Sequence, residues 1–159
     1  MSKAHVITVS DGVFHGKRED RSGAALVTLL QKDGFVVGGP DVVPDEVERI
    51  TEAVVTAVTR GVDLVVATGG TGLGPRDVTP LAIAALVDYQ VPGIGEAMRR
   101  AGASSTPMAV LSRSTAGVRE RTLIISVPGS VSGAVESMQA VLPVVGHAIQ
   151  LLHGDTAHS

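Results

Sequence analysis

The stretch Thr68-Gly69-Gly70-Thr71-Gly72-Leu73-Gly74, continuing as Pro75-Arg76-Asp77-Val78-Thr79-Pro80, is the part of the sequence best suited to chemistry. Glycines permit positive φ and let bare backbone N–H groups converge on an anion. Thr71 adds a hydroxyl donor. A tight strand–helix connection would also need glycines here. Arg76 and Asp77 in this run, and Ser10-Asp11 at a sibling position, favour a ligand site. Asp45 stands where a helix N-cap belongs, and a cap at the ligand edge could also hold a metal or a substrate group. Asp77 suits either an Asx-turn, a pair with Arg76, or ligand binding. Two carboxylates beside bound phosphates would suit Mg²⁺, which takes few protein ligands and keeps water and phosphate oxygens.

Two common phosphate motifs are excluded. No lysine follows the glycines, so there is no Walker loop. Gly70-Thr71-Gly72-Leu73-Gly74 runs into Pro75, which does not fit the dinucleotide fingerprint. Gly129-Ser130-Val131-Ser132-Gly133 places Val131 where an esterase elbow needs serine. Basic residues gather in predicted loops, namely Lys17, Arg18, Arg21, Arg76, Arg113, Arg119 and Arg121. Some are ordinary solvated charge, but together they suit a polyphosphate. Ser112 and Ser114 flank Arg113, where a turn role and a ligand role both fit. The five histidines are dispersed without metal-ligand spacing and carry no assigned role.

The composition narrows the partners. Aromatic residues are 2%, limited to Phe14, Phe35 and Tyr89, so no base-stacking platform for single-stranded nucleic acid can be built. The net charge of −3 disfavours nucleic acid and anionic membrane. The absence of cysteine removes thiol catalysis, thiolate metal sites and disulfides. The N-terminal run resembles neither a signal peptide nor a membrane anchor, which leads to an expected cytoplasmic location.

The elements that position these residues follow from periodicity. Strands are predicted at 5–10, 35–43, 62–68, 108–111 and 122–127, with 62–68 β-branched and apolar over 64–67, as in a strand covered on both faces. Helices are predicted from a cap at Ser22 to about Asp33, over 47–60 behind Asp45, over 79–87 behind a Thr79 cap, and over 94–101 and 131–152. Residues 153–159 are expected to form a loose tail beyond a single domain spanning 1–152. Alternating strands and helices imply a three-layer α/β/α sandwich with a mostly parallel central sheet. Ligands then bind beyond the carboxyl ends of the strands. The turns Ser10-Asp11-Gly12, Thr68–Gly72 and Pro128-Gly129-Ser130 all fall on that edge.

These residues carry a resemblance. TVSDG, DRSG, VVPDEVERI, ATGGTGLGPRDVTP, PGIGEAMR, LSRSTAG and TLIISVPGS together resemble the MogA/MoaB-type molybdopterin-binding family, the molybdopterin adenylyltransferases of molybdenum cofactor synthesis. The resemblance implies a homotrimer that joins AMP from Mg·ATP to the terminal phosphate of molybdopterin and releases pyrophosphate. A separate molybdenum insertase would take the product. It also implies that Asp45 and Asp77 are essential aspartates that organise metal and substrate, with Ser112 as a site serine. Ser10, Asp11, Gly69, Gly70, Thr71, Gly72, Pro128, Gly129 and Ser130 would contact ligand, with Arg76 and Arg113 as phosphate partners. Many relatives read PGNP or PGSP where this chain has Pro128-Gly129-Ser130-Val131. A catalytically silent MoaB-type protein that only binds molybdopterin is the alternative implied by the same motifs, and retention of both aspartates weighs against it. The extra length of the insertases is lacking, so metal insertion is not the expected role.

Overall fold

The computed structural model describes residues 1–155. In chain order the elements are β1 (Lys3–Val9), α1 (Asp11–Phe14), α2 (Arg21–Lys32), β2 (Val36–Val43), α3 (Val47–Thr59) and β3 (Leu64–Thr68). They continue with α4 (Thr79–Leu86), β4 (Tyr89–Gln90), α5 (Pro92–Ala103), a 3-10 turn (Pro107–Leu111), β5 (Ala116–Arg119), β6 (Thr122–Val127) and α6 (Val131–Leu152). The strands form one sheet in the order β2-β1-β3-β6-β5-β4. The first four run parallel, and β5 and β4 add an antiparallel edge.

Alternation along β1 and β3 splits the core into two. Val6, Leu64, Val66, Leu123 and Ile125 face α2, α5 and α6, where they meet Leu26, Leu30, Met98, Met138 and Val145. Ile7, Val9, Val65, Ala67 and Ile124 face α3 and α4, packing on Ile50, Val54, Ala82 and Ile83. Both faces of the central strands β3 and β6 are therefore covered, which is why both are buried at every position. By length and composition α6 could also cross a membrane. Its apolar stripe instead lies on the sheet through Ala134, Met138, Val141, Val145 and Ile149.

Several predicted details are corrected. Residues 108–111 are not a strand. Pro107 starts a 3-10 turn there, and the Thr106 hydroxyl accepts the Met108 N–H at 3.2 Å. The antiparallel strand β5, unpredicted, turns back into β6 through Glu120, whose φ is 56°. Asp20, not Ser22, caps α2, its carboxylate accepting the Gly23 N–H at 3.0 Å. Ser22 is buried instead and accepts a hydrogen bond from Thr68. Thr79 lies inside α4, with Val78 at its cap position. The tail expected over 153–159 is described only to residue 155. His153 ends α6 and places Nε2 2.7 Å from Asp63 Oδ1, while residues 156–159 lie outside the described residues.

At the end of β3, Gly69 takes φ 107°, and a Cβ there would collide with the Val9 carbonyl oxygen of β1. Gly69→Ala is accordingly expected to destabilise the protein by more than the roughly 1–3 kcal/mol of backbone strain alone. Chemical denaturation checks this, and a loss under about 1 kcal/mol would show that the strand ends are not held this closely.

Candidate functional site

The four parallel strands end together, and their outgoing turns meet on one edge. Ser10 leaves β1 and its hydroxyl accepts the Val13 N–H at 3.2 Å, starting the single turn of α1. Asp11 and Asp45 then exchange bonds. The Asp11 N–H donates to Asp45 Oδ2 at 2.8 Å, and the Asp45 N–H donates to Asp11 Oδ1 at 3.0 Å. Asp45 is thus not the cap of α3. Glu46 holds that position without a side-chain cap bond.

Arg76 reaches back from the glycine loop to Asp11 with two bonds, Nε to Oδ2 at 3.0 Å and Nη2 to Oδ1 at 2.9 Å. That guanidinium holds the Asp11 carboxyl below its ordinary value, helped by the Asp45 N–H. Asp45 shifts the other way. Burial pushes its carboxyl up, and repulsion from Asp11 and Asp77 adds to this against the Asp11 N–H bond.

Asp77 does not pair with Arg76 through its carboxylate. Its Oδ2 accepts the Gly74 N–H at 2.9 Å, closing a tight turn. A Cβ at Gly72 or at Gly74 would lie 2.9 Å from the same oxygen, so the glycines let the loop wrap around this carboxylate. Arg113 anchors the loop from the far side. Its Nε and Nη2 donate to the Gly72 carbonyl at 2.9 and 2.6 Å, and Nη2 also donates to the Asp77 carbonyl at 2.8 Å. Both arginines expected to face phosphate therefore hold the loop itself in this structure.

Two cavities flank the Gly69–Ser130 junction, where a Cβ on Gly129 would lie 3.3 Å from the Gly69 Cα. The larger, about 620 Å³, is lined by Ser10, Asp45, Gly69, Gly70, Asp77 and Gly129, among others. The smaller, about 460 Å³, takes in Thr71, Gly72, Ser112 and Pro128. Ser130 lines both, and its hydroxyl caps α6 through the Gly133 N–H at 3.1 Å. Ser112 is thus separated from the two aspartates, with its hydroxyl 2.9 Å from that of Ser114. Asp11, Arg76 and Arg113 line neither cavity.

Asp45 and Asp77 are hard oxygen donors facing one cavity, and each has one oxygen engaged by a backbone N–H. Among the described residues no three His, Asp or Glu side chains form a metal cluster. This donor set fits a cation held chiefly by phosphate and water, as Mg²⁺ is, and does not fit a protein-only cage.

Sequence reading missed three residues beneath the site. Asp20 lines the larger cavity and accepts a bond from buried Thr8 at 2.8 Å. Thr79, fully buried, donates its hydroxyl to the Gly69 carbonyl at 2.9 Å. Glu136 lines the smaller cavity from α6. Asp20 followed three residues later by Gly23 was a readable cap signal, whereas nothing in the spacing of Glu136 marked it.

Comparison with known proteins agrees with this architecture. Residues 5–147 match the family model described as a probable molybdopterin binding domain. A molybdenum cofactor biosynthesis bifunctional protein of Synechococcus elongatus is 46% identical over 152 residues, covering 95% of this chain and 47% of that protein. The chain spans half or less of the length of this and two further curated relatives. A molybdopterin adenylyltransferase of Helicobacter pylori is 35% identical, with 94% and 87% of the two chains covered. The crystal structure of the molybdopterin biosynthesis enzyme MoaB from Thermus thermophilus superposes with a TM-score of 0.91 at 47% identity, covering 97% and 98%. With the family model matched over most of its length, the chain belongs to the MogA/MoaB molybdopterin-binding family of molybdenum cofactor biosynthesis.

Proposed function

We propose that the chain is a molybdopterin adenylyltransferase, transferring AMP from ATP to the terminal phosphate of molybdopterin and releasing pyrophosphate. The observation that carries this reading is the pair of cavities meeting at Ser130 on the glycine edge. Each has the volume of a small-molecule site, and two phosphate-bearing ligands could meet there end to end. The reading is supported by the relative named as an adenylyltransferase.

In the reaction, a pterin phosphate oxygen attacks the α-phosphorus of ATP. The P–O bond to the β-phosphate breaks, and pyrophosphate leaves with its electron pair. No side-chain nucleophile is required. Two anions must be brought together, so the residues act by positioning and by charge. The Gly69–Gly72 backbone and the Ser10 and Ser130 turns orient phosphate. Asp45 and Asp77 would hold Mg²⁺, which when bound offsets the charge of the leaving pyrophosphate. Ser112, from the adjoining cavity, orients the second substrate. A cytoplasmic homotrimer that hands its product to a separate insertase completes the reading.

A pyrophosphate-release assay with ATP, Mg²⁺ and molybdopterin tests the function. Release that depends on the pterin, with AMP retained on it, is the expected result. Tight pterin binding without release would identify a catalytically silent binding protein. Asp77→Asn is expected to lower the rate by about 100-fold or more while the fold is retained. Wild-type turnover in that variant would remove Asp77 from the mechanism.

Asp45 also yields a prediction about pH. Its carboxyl is raised in the folded state, so the folded protein binds the extra proton between the unfolded and folded values. Its contribution to stability therefore falls as pH rises through that window, and the charged form is a cost at neutral pH. Asp45→Asn keeps an acceptor for the Asp11 N–H and removes the charge. Thermal unfolding should show a higher Tm for this variant at neutral pH, converging with wild type in acid, while adenylylation is lost. A lower Tm at neutral pH would contradict the assigned strain.

A further inference from the structure

The smaller cavity is walled by Met98 and Gly102 of α5 and by Met108, Ala109 and Leu111 of the 3-10 turn. Two charged side chains reach it, Arg99 and Glu136. Arg99 is committed to the wall, its Nη1 donating to the Ser114 carbonyl at 2.7 Å and the Ser112 carbonyl at 3.4 Å. Glu136 accepts only the Ser105 hydroxyl in the described hydrogen bonds, through Oε2 at 2.8 Å. A carboxylate offers about four acceptor positions, so most of its capacity is left open at the cavity rim.

A carboxylate on the rim of an apolar slot selects a ligand that presents two adjacent N–H donors. The 2-amino-4-oxo pyrimidine edge of a pterin does so, with its ring N–H beside its amino group. Adenine places an amino donor next to a bare ring nitrogen, whose lone pair would oppose the carboxylate. We propose that Glu136 reads the amino-pyrimidinone edge of the pterin in this cavity and so determines which substrate occupies it. This deepens the proposed function and rests on it. The flat bicycle lies between the methionine and alanine surfaces, and the amino edge points to Glu136. The pterin's phosphate end then runs towards Ser130 and the larger cavity. Glu136 contacts the substrate away from the reacting atoms, so its effect falls on binding and selectivity.

The test compares pterin with lumazine, the pteridine in which an oxo group replaces the 2-amino group. Their affinities for the full chain are measured by fluorescence titration, with ATP affinity and molybdopterin binding measured alongside. Wild type is expected to bind pterin about tenfold or more tightly than lumazine, the scale of one hydrogen bond to a charged group. Glu136→Gln offers one donor and one acceptor, so the preference should collapse or invert while ATP affinity stays within twofold. A simple tie between α6 and the turn that follows α5 would be broken equally by Ser105→Ala. Matching losses in the two variants therefore overturn the proposal, as does a Glu136→Gln protein that keeps the wild-type preference. Wild type that binds molybdopterin without discriminating between the pteridines overturns this inference alone. Wild type that binds no molybdopterin overturns the functional reading with it.

Discussion

The reciprocal exchange between Asp11 and Asp45 is the contact from which the site edge is organised. Each carboxylate accepts the other's backbone N–H, so the ends of β1 and β2 are tied by two bonds that need both side chains. Two like charges are brought close by this arrangement, and the cost falls on one partner. Arg76 takes the charge of Asp11, leaving Asp45 half-buried with its carboxyl raised. The same guanidinium draws the glycine loop over the β1 turn. One set of bonds thus fixes a carboxylate and closes the loop beside it, while burial pushes that carboxyl up against the bonds.

The arginines show how a net acidic chain handles this edge. Arg76 balances Asp11, Arg113 binds the carbonyls of Gly72 and Asp77, and Arg99 binds those of Ser114 and Ser112. Their charges hold turns in shape, since a planar guanidinium can bridge several acceptors at once. The groups left facing the larger cavity are backbone and hydroxyl groups from three strand-end turns, Arg18 and Arg21, and the carboxylates of Glu19, Asp20, Asp45 and Asp77. That division separates the work of building the loop from the work of meeting a ligand.

Much of this was legible in the sequence, and the limits have physical causes. The mostly apolar run at 62–68 suits a strand covered on both faces, 122–127 reads as a further strand, and parallel strands bring their outgoing turns to one edge. The glycine turns and Asp77 followed from that. Residues 108–111 are apolar too, but Pro107 and the Thr106 cap favour a tight local turn over pairing. Strand β5 carries Gly117 and only four residues, and its register depends on β6 rather than on its own pattern. The cap of α2 was misplaced by two residues because both Asp20 and Ser22 are good caps, and the difference lies in what each side chain finds below. Ser22 meets Thr68 in the interior, while Asp20 meets Thr8 and the Gly23 N–H.

Asp45 illustrates the step that local sequence cannot make. An acidic residue just before an amphipathic helix has the same local signature whether it caps the helix or turns away from it. Here the choice is made by Asp11, 34 positions earlier, whose N–H competes for the same carboxylate. The helix tolerates the loss because its inner face is packed through Ile50 and Val54 on the sheet, burial that outweighs one cap of about 1 kcal/mol. Tertiary packing thereby frees a polar side chain that secondary structure alone would have claimed. Asp45 is thereby left on the edge where four strand ends converge, lining the cavity beside Asp77, whose own carboxylate closes the Gly74 turn.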